Sequence, residues 1–206
     1  GAPDTLEPLL DATFQKLMDW AEQTADIGIR ANADTPADAQ TARNFNAHGI
    51  GLCRTEHMFF DPSRLTVMRE MIFADTSEGR RAVLDRLLPM QREDFIQLFR
   101  IMQGQPVCIR LFDPPLHEFL PASRSGQRDL AEALDLPLSN VTRRIEAMSE
   151  YNPMLGLRGV RLGVTVPEIY EMQARAIFEA TIEASRDGEP VVPEIMIPLV
   201  SAKREV

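Results

Sequence analysis

Short apolar runs separated by helix signals recur along this chain, and that alternation restricts what it can fold into. Ile27-Gly28-Ile29-Arg30-Ala31-Asn32-Ala33 is short and alternating, and it stops at Asp34. Thr35-Pro36-Ala37-Asp38 follows, with a threonine N-cap, proline at the first helical position and an acid in the first turn. The helix is expected to run to about His48 and to stop at Gly49, after which Ile50 to Arg54 reads as a second strand. Strand, helix and strand in so short a span make a βαβ unit, so the two strands should run parallel.

The pattern repeats with longer helices. Arg80 to Gln103 reads as helical, with Pro89 marking a break or the start of a second helix. Gly104 ends it, and Pro106 to Leu111 is the third strand. Pro114-Pro115 forbids further sheet, and residues 114–158 form a long excursion with two helices expected near 127–135 and 139–150. Pro167 opens another helix, with Ile169, Met172, Ala176, Ala180 and Ala184 on one face and Asp187-Gly188 at its end. Val191 to Val200 contains a fourth apolar strand. Residues 5–25 carry Leu10, Phe14, Leu17, Met18 and Ala21 at helical spacing, so residues 1–25 are taken as a helical lead-in and 26–206 as the main body.

Four near-continuously apolar strands alternating with helices predict a parallel α/β architecture. Barrel and open doubly wound sheet both fit, and four strands are half of an eight-stranded barrel. No glycine-rich phosphate loop of the dinucleotide or Walker type occurs, which argues against a nucleotide-binding open sheet.

Two of the strands end alike. Gly49-Ile50-Gly51-Leu52-Cys53-Arg54-Thr55-Glu56-His57 and Ile109-Arg110-Leu111-Phe112-Asp113-Pro114-Pro115 each carry an arginine and an acid at the strand exit. A guanidinium there is a permanently charged, two-point donor, and two such exits suggest arginines converging on one anion. The net charge of −9 disfavours nucleic acid or an anionic membrane as a partner, so an anion must be held by a local arginine cluster. Glu56 is expected to pair with a neighbouring arginine, and Asp113 either to form the turn or to orient Arg110 or a ligand. His57 and His117 read as structural histidines, and Cys53 and Cys108 as buried core thiols. Two cysteines exclude a disulfide scaffold, no transmembrane or targeting segment is visible, and a cytoplasmic location follows as the default. No acidic pair has convincing metal spacing.

The chain resembles the PEP-utilising enzyme family, in its pyruvate, phosphate dikinase branch. Arg30 to Pro36, both strand-exit segments, Asn152-Pro153-Met154-Leu155-Gly156-Leu157-Arg158-Gly159-Val160-Arg161-Leu162 and Pro193-Glu194-Ile195-Met196-Ile197-Pro198-Leu199-Val200 carry the likeness. Sister enzymes, phosphoenolpyruvate synthase and enzyme I of the phosphotransferase system, do not look like the Asp113-Pro114-Pro115-Leu116-His117-Glu118 segment. The resemblance implies the N-terminal half of a (β/α)8 barrel that binds phosphoenolpyruvate or pyruvate at the carboxyl ends of its strands, beside a magnesium ion. A phosphohistidine on a separate swivelling domain would exchange the phosphoryl group. By motif, Arg54 and Arg110 match the two family arginines that act in catalysis and hold the substrate, and Arg158 matches a third that binds it. Leu157 departs from the histidine or polar residue usual before that third arginine.

The family's magnesium ligands and its enolate-protonating thiol match nothing in this chain, nor do its nucleotide-binding and phosphohistidine domains. Together with the leading Gly1-Ala2 in place of an initiator methionine, this suggests a piece of a larger enzyme, inactive alone. Unpaired strand edges would then make the piece dimerise. A non-catalytic anion-binding module that kept the arginines is the alternative of a different class.

Overall fold

A computed structural model describes residues 11–186 and 188–206. Helix α1 (Ala12–Thr24) buries none of its side chains. It leads to β1, whose sheet pairing is confined to Ala31–Asn32. The expected strand over 27–33 is therefore shorter. Ile27 and Ile29 are exposed, and the backbone around them is held by His48, whose amide donates to the Ile29 carbonyl at 2.7 Å and whose Nδ1 accepts the Ile29 N–H at 2.8 Å.

Helix α2 (Pro36–Asn44) starts as its sequence predicts. The Thr35 hydroxyl accepts the Asp38 N–H at 3.2 Å, and the Asp38 carboxylate accepts the Thr35 N–H at 3.1 Å. The helix ends before His48 because Asn46 takes a left-handed conformation, φ 58°. Asparagine tolerates that region better than most residues. Thr35→Ala is expected to cost about 1 kcal/mol, read as a lower urea midpoint at unchanged m-value.

Strand β2 spans Ile50–Arg54, as read from the sequence. Helices α3 (Pro62–Phe73) and α4 (Ser77–Ile101) carry the chain back, α4 passing through Pro89 without a break. Proline removes the amide that would pair with the Asp85 carbonyl. Both residues are exposed, so water can take its place. Strand β3 (Val107–Arg110) follows Gly104, which supplies the φ of 77° needed to leave the helix.

The excursion after β3 holds α5 (Arg124–Ala133) and α6 (Leu138–Met148), near the predicted positions. The short α7 (Val160–Thr165) and the long α8 (Pro167–Ala184) then lead to β4 (Pro193–Met196). In α8 the predicted face is buried, with Ile177 added to it. Of the expected helix end at Asp187-Gly188, Asp187 lies outside the described residues.

The sheet order is β1-β2-β3-β4, every pair parallel. Sequential parallel order with helical crossovers is the build of a partial (β/α)8 barrel. Ile50, Cys53, Val107 and Ile109 meet Phe95, Phe99, Ala176 and Ala180 of α4 and α8 in one core. A second core gathers Phe59, Phe112, Phe119, Leu87, Met71 and Ile169. Ring centroids stand 6.0 Å apart for Phe59–Phe112 and 5.4 Å for Phe112–Phe119. Each fully buried ring is worth about 1.5–3 kcal/mol, so this cluster ties the loop after β2 to the loop after β3. Among the described residues no helix is long and apolar enough to cross a membrane.

Cys53 is fully buried, and burial first, then Asp34 and Glu56, pushes its thiol well up. The native thiol stays protonated while the unfolded one ionises near about pH 8.5. Its contribution is thus complete below that pH and falls as pH rises, by about 1.4 kcal/mol per unit. Urea midpoints should decline from pH 8 to 9.5, less so in Cys53→Ala.

Candidate functional site

The carboxyl end of a parallel sheet is where strand exits present side chains to a common ligand. Arg54 and Arg110 are the last residues of β2 and β3 and are register partners, so the sheet ladder itself sets them side by side. Arg158 comes from the loop before α7. Two backbone bonds put it there: the Gly159 N–H donates to the Asp113 carbonyl, and the Val160 N–H to the Pro198 carbonyl, both at 2.9 Å.

Acids divide the arginines between them. Asp34, just past β1, accepts the Arg54 backbone N–H at 2.7 Å, and its Oδ2 lies 3.1 Å from both Arg54 Nε and His57 Nδ1. Arg110 bridges two acids, donating through Nη2 to Glu56 and through Nη1 to Asp113 at 3.1 Å. Asp113 is also gripped by Arg158, from Nη2 at 2.7 Å and Nε at 3.3 Å. Glu56 and Asp113 are only 6% and 3% exposed, a burial that carboxylates tolerate only when paired. The hydrogen bonds to Asp113 raise the Arg158 pKa further, so it stays charged throughout the working range.

The pairing leaves donors over. Among the described residues, Arg54 uses only its Nε and backbone amide, so both of its terminal nitrogens remain for a ligand. Arg158 keeps Nη1. Arg110 has both terminal nitrogens engaged, each with one N–H to spare. The cluster can therefore present several fixed guanidinium donors to a multiply charged anion.

Residues 10–206 match the family described as "PEP-utilising enzyme, PEP-binding domain". The chain belongs to the PEP-utilising enzymes. It is 55% identical over its whole length to a pyruvate, phosphate dikinase of Rhizobium meliloti (strain 1021), of which it covers 23%. A Giardia intestinalis protein of that name is 53% identical over the whole chain, with 23% of its length covered. A chloroplastic pyruvate, phosphate dikinase 1 of Oryza sativa subsp. japonica is 51% identical, with 22% covered. The chain thus spans about a quarter of the length of the curated relatives it matches.

All three arginines anticipated from the sequence of this PEP-utilising chain meet at one sheet end. Glu56 pairs with an arginine, Asp113 orients Arg110 and Arg158 together, and His57 is held by Asp34. His117 sits in the turn Leu116–Phe119 with a buried Nδ1 that has no hydrogen-bond partner among the described residues. Cys53 and Cys108 are both buried.

Four residues of the assembly were not foreseen in their roles. Asp34 reads in sequence only as a strand end, although an acid between a strand and an N-cap is well placed to reach the next strand's exit. Gly159 has φ 56° and ψ −136°, a conformation open essentially to glycine. Tyr170 and Gln173 lie on the buried face of α8, where only a polar residue in an apolar stripe hints at a special task. Tyr170 donates to the Phe112 carbonyl at 2.9 Å, and burial raises its pKa, so the phenol keeps the proton it donates.

The acids beside the arginines do not fit a magnesium site. Asp34, Glu56 and Asp113 are each committed to guanidinium groups, and the described residues hold no cluster of three or more His, Cys, Asp or Glu suited to a metal.

Proposed function

We propose that this chain is the arginine-bearing part of the phosphoenolpyruvate/pyruvate site of a pyruvate, phosphate dikinase. The observation that carries the reading is the register pairing of Arg54 with Arg110 at the strand ends, with Arg158 drawn in through Asp113. Arg54, with both terminal nitrogens available, is the main ligand for the phosphoryl oxygens. Arg110 spans the centre of the cluster, and Arg158 adds donors from the far side. Phosphoryl transfer spreads negative charge over equatorial oxygens, and preorganised guanidinium groups stabilise that charge at little reorganisation cost.

In this reading the parent enzyme interconverts ATP, pyruvate and phosphate with AMP, phosphoenolpyruvate and diphosphate through a phosphohistidine in the cytoplasm. The nucleotide-binding and phosphohistidine domains are its partners, and magnesium is bound by residues outside this chain. Residues 1–25 are the lead-in and 26–206 the barrel portion. The chain by itself is inactive. Among the described residues, strands β1 and β4 each pair on one side only, which supports edge-to-edge dimerisation and can be checked by light scattering.

Calorimetric titration of phosphoenolpyruvate into the chain tests the site. Binding is expected without magnesium and should be lost in Arg54→Ala and in Arg110→Ala. Binding that survives both substitutions would sink the assignment.

A further inference from the structure

Beyond the last register pair, Arg54 with Arg110, the ladder between β2 and β3 stops. One side chain takes over from it. Gln173 of α8 is fully buried, accepts the Phe112 N–H through Oε1 at 2.8 Å and donates through Nε2 to the Thr55 hydroxyl at 2.8 Å. Thr55 is fully buried too and directly follows Arg54, while Phe112 lies two residues beyond Arg110. Tyr170, three residues earlier on the same helix face, holds the other side of the strand exit through the Phe112 carbonyl.

We propose that Gln173 is the positioning residue that fixes the spacing of Arg54 and Arg110. The inference rests on reading the arginine cluster as an anion site. The amide serves both strand exits at once. Glutamine offers one acceptor and one donor at a fixed separation, and the two strand exits present one donor and one acceptor. A carboxylate at this position could only accept, from the Phe112 N–H and from a reoriented Thr55 hydroxyl, and would bury a negative charge. An apolar residue would leave both polar groups buried and unpaired.

A core that needed only to be filled would accept methionine at 173 with valine at 55. The buried polar bridge instead lies one residue from one arginine and two from the other. Guanidinium donors must meet phosphoryl oxygens to within a fraction of an ångström, and misplacement of about 1 Å costs on the order of a hundredfold in rate. The bridge sits where such an error would arise, at the backbone just past each arginine.

The test compares Gln173→Met, Thr55→Val and the Gln173→Met/Thr55→Val double variant in the full chain. Three quantities are read: the ¹⁵N–¹H signals of the Arg54 and Arg110 Nε–H groups, phosphoenolpyruvate affinity by calorimetry, and thermal midpoint. Gln173→Met should displace both arginine signals and weaken phosphoenolpyruvate binding about tenfold or more. The double variant should bind no worse than Gln173→Met, because the two positions share one bond. Should Gln173→Met fail to fold, Thr55→Val decides, since it removes only the bond on the Arg54 side, and the Arg54 signal should move more than that of Arg110. Arginine signals that stay in place while the thermal midpoint falls would reduce Gln173 to core filling and overturn the proposal. A wild-type chain that does not bind phosphoenolpyruvate would contradict the anion-site reading, and the arginine signals would still decide the role of Gln173.

Discussion

Arg110→Ala is expected to abolish phosphoenolpyruvate binding and to destabilise the chain by about 2–4 kcal/mol, whereas Arg54→Ala should lose binding at a stability cost below about 1 kcal/mol. The contrast follows from what each arginine leaves behind. Without Arg110, among the described residues, Glu56 loses its only ion-pair partner while still almost fully buried, and Asp113 keeps only Arg158. An uncompensated buried carboxylate is costly, and the lower part of the usual range applies because the Arg110 side chain is 21% exposed. Without Arg54, Asp34 retains His57, and the lost side chain was 36% exposed. Urea unfolding of both variants at pH 7 measures the difference. Equal destabilisation of the two variants would contradict the division of acids described above.

Gly159→Ala is expected to cost about 1–3 kcal/mol through the backbone conformation alone, with a steric term added. A methyl group there would stand 2.9 Å from the Pro198 carbonyl oxygen and 3.1 Å from Leu199 Cβ. The first of these is backbone that cannot swing aside. The loop must shift, and the shift breaks the bonds from Gly159 to Asp113 and from Val160 to Pro198 that place Arg158. Phosphoenolpyruvate affinity should therefore fall along with stability, by about tenfold if one charge-assisted contact is lost. Thermal denaturation and calorimetry on the same sample would show both. A variant that is destabilised yet binds normally would detach Arg158 from the site.

The parallel pairing of β1 and β2 was legible because a single helix joins them as a βαβ unit, and the later strands repeat that alternation with longer connections. Strand β2 and helix α8 were legible to the residue or nearly so, since Gly49, Pro167 and the apolar spacing mark them without conflict. Pro89 misleads because its cost depends on whether the freed carbonyl reaches water, which the local sequence does not encode. Strand β1 contracts for a related reason: the apolar Ile27 and Ile29 promise burial that the fold does not provide.

At the site, charge and strand position pointed to Arg54 and Arg110, and motif likeness assigned them a role together with Arg158. The acids between them depend on distance. Asp113 touches Arg158 across the whole of the α5 and α6 excursion, a closeness that no spacing rule gives. The glutamine bridge was hidden for the same reason, since Gln173 meets Thr55 and Phe112 only once α8 has packed over the strand exits.

A crystal structure of the chain soaked with phosphoenolpyruvate tests the central claim, that three arginines at the strand ends share one anion. The phosphoryl group is predicted within hydrogen-bond reach of both Arg54 terminal nitrogens and of Arg158 Nη1, with Arg110 keeping its bonds to Glu56 and Asp113. Phosphoenolpyruvate bound elsewhere, or strand ends that stay empty at saturating ligand, would contradict it.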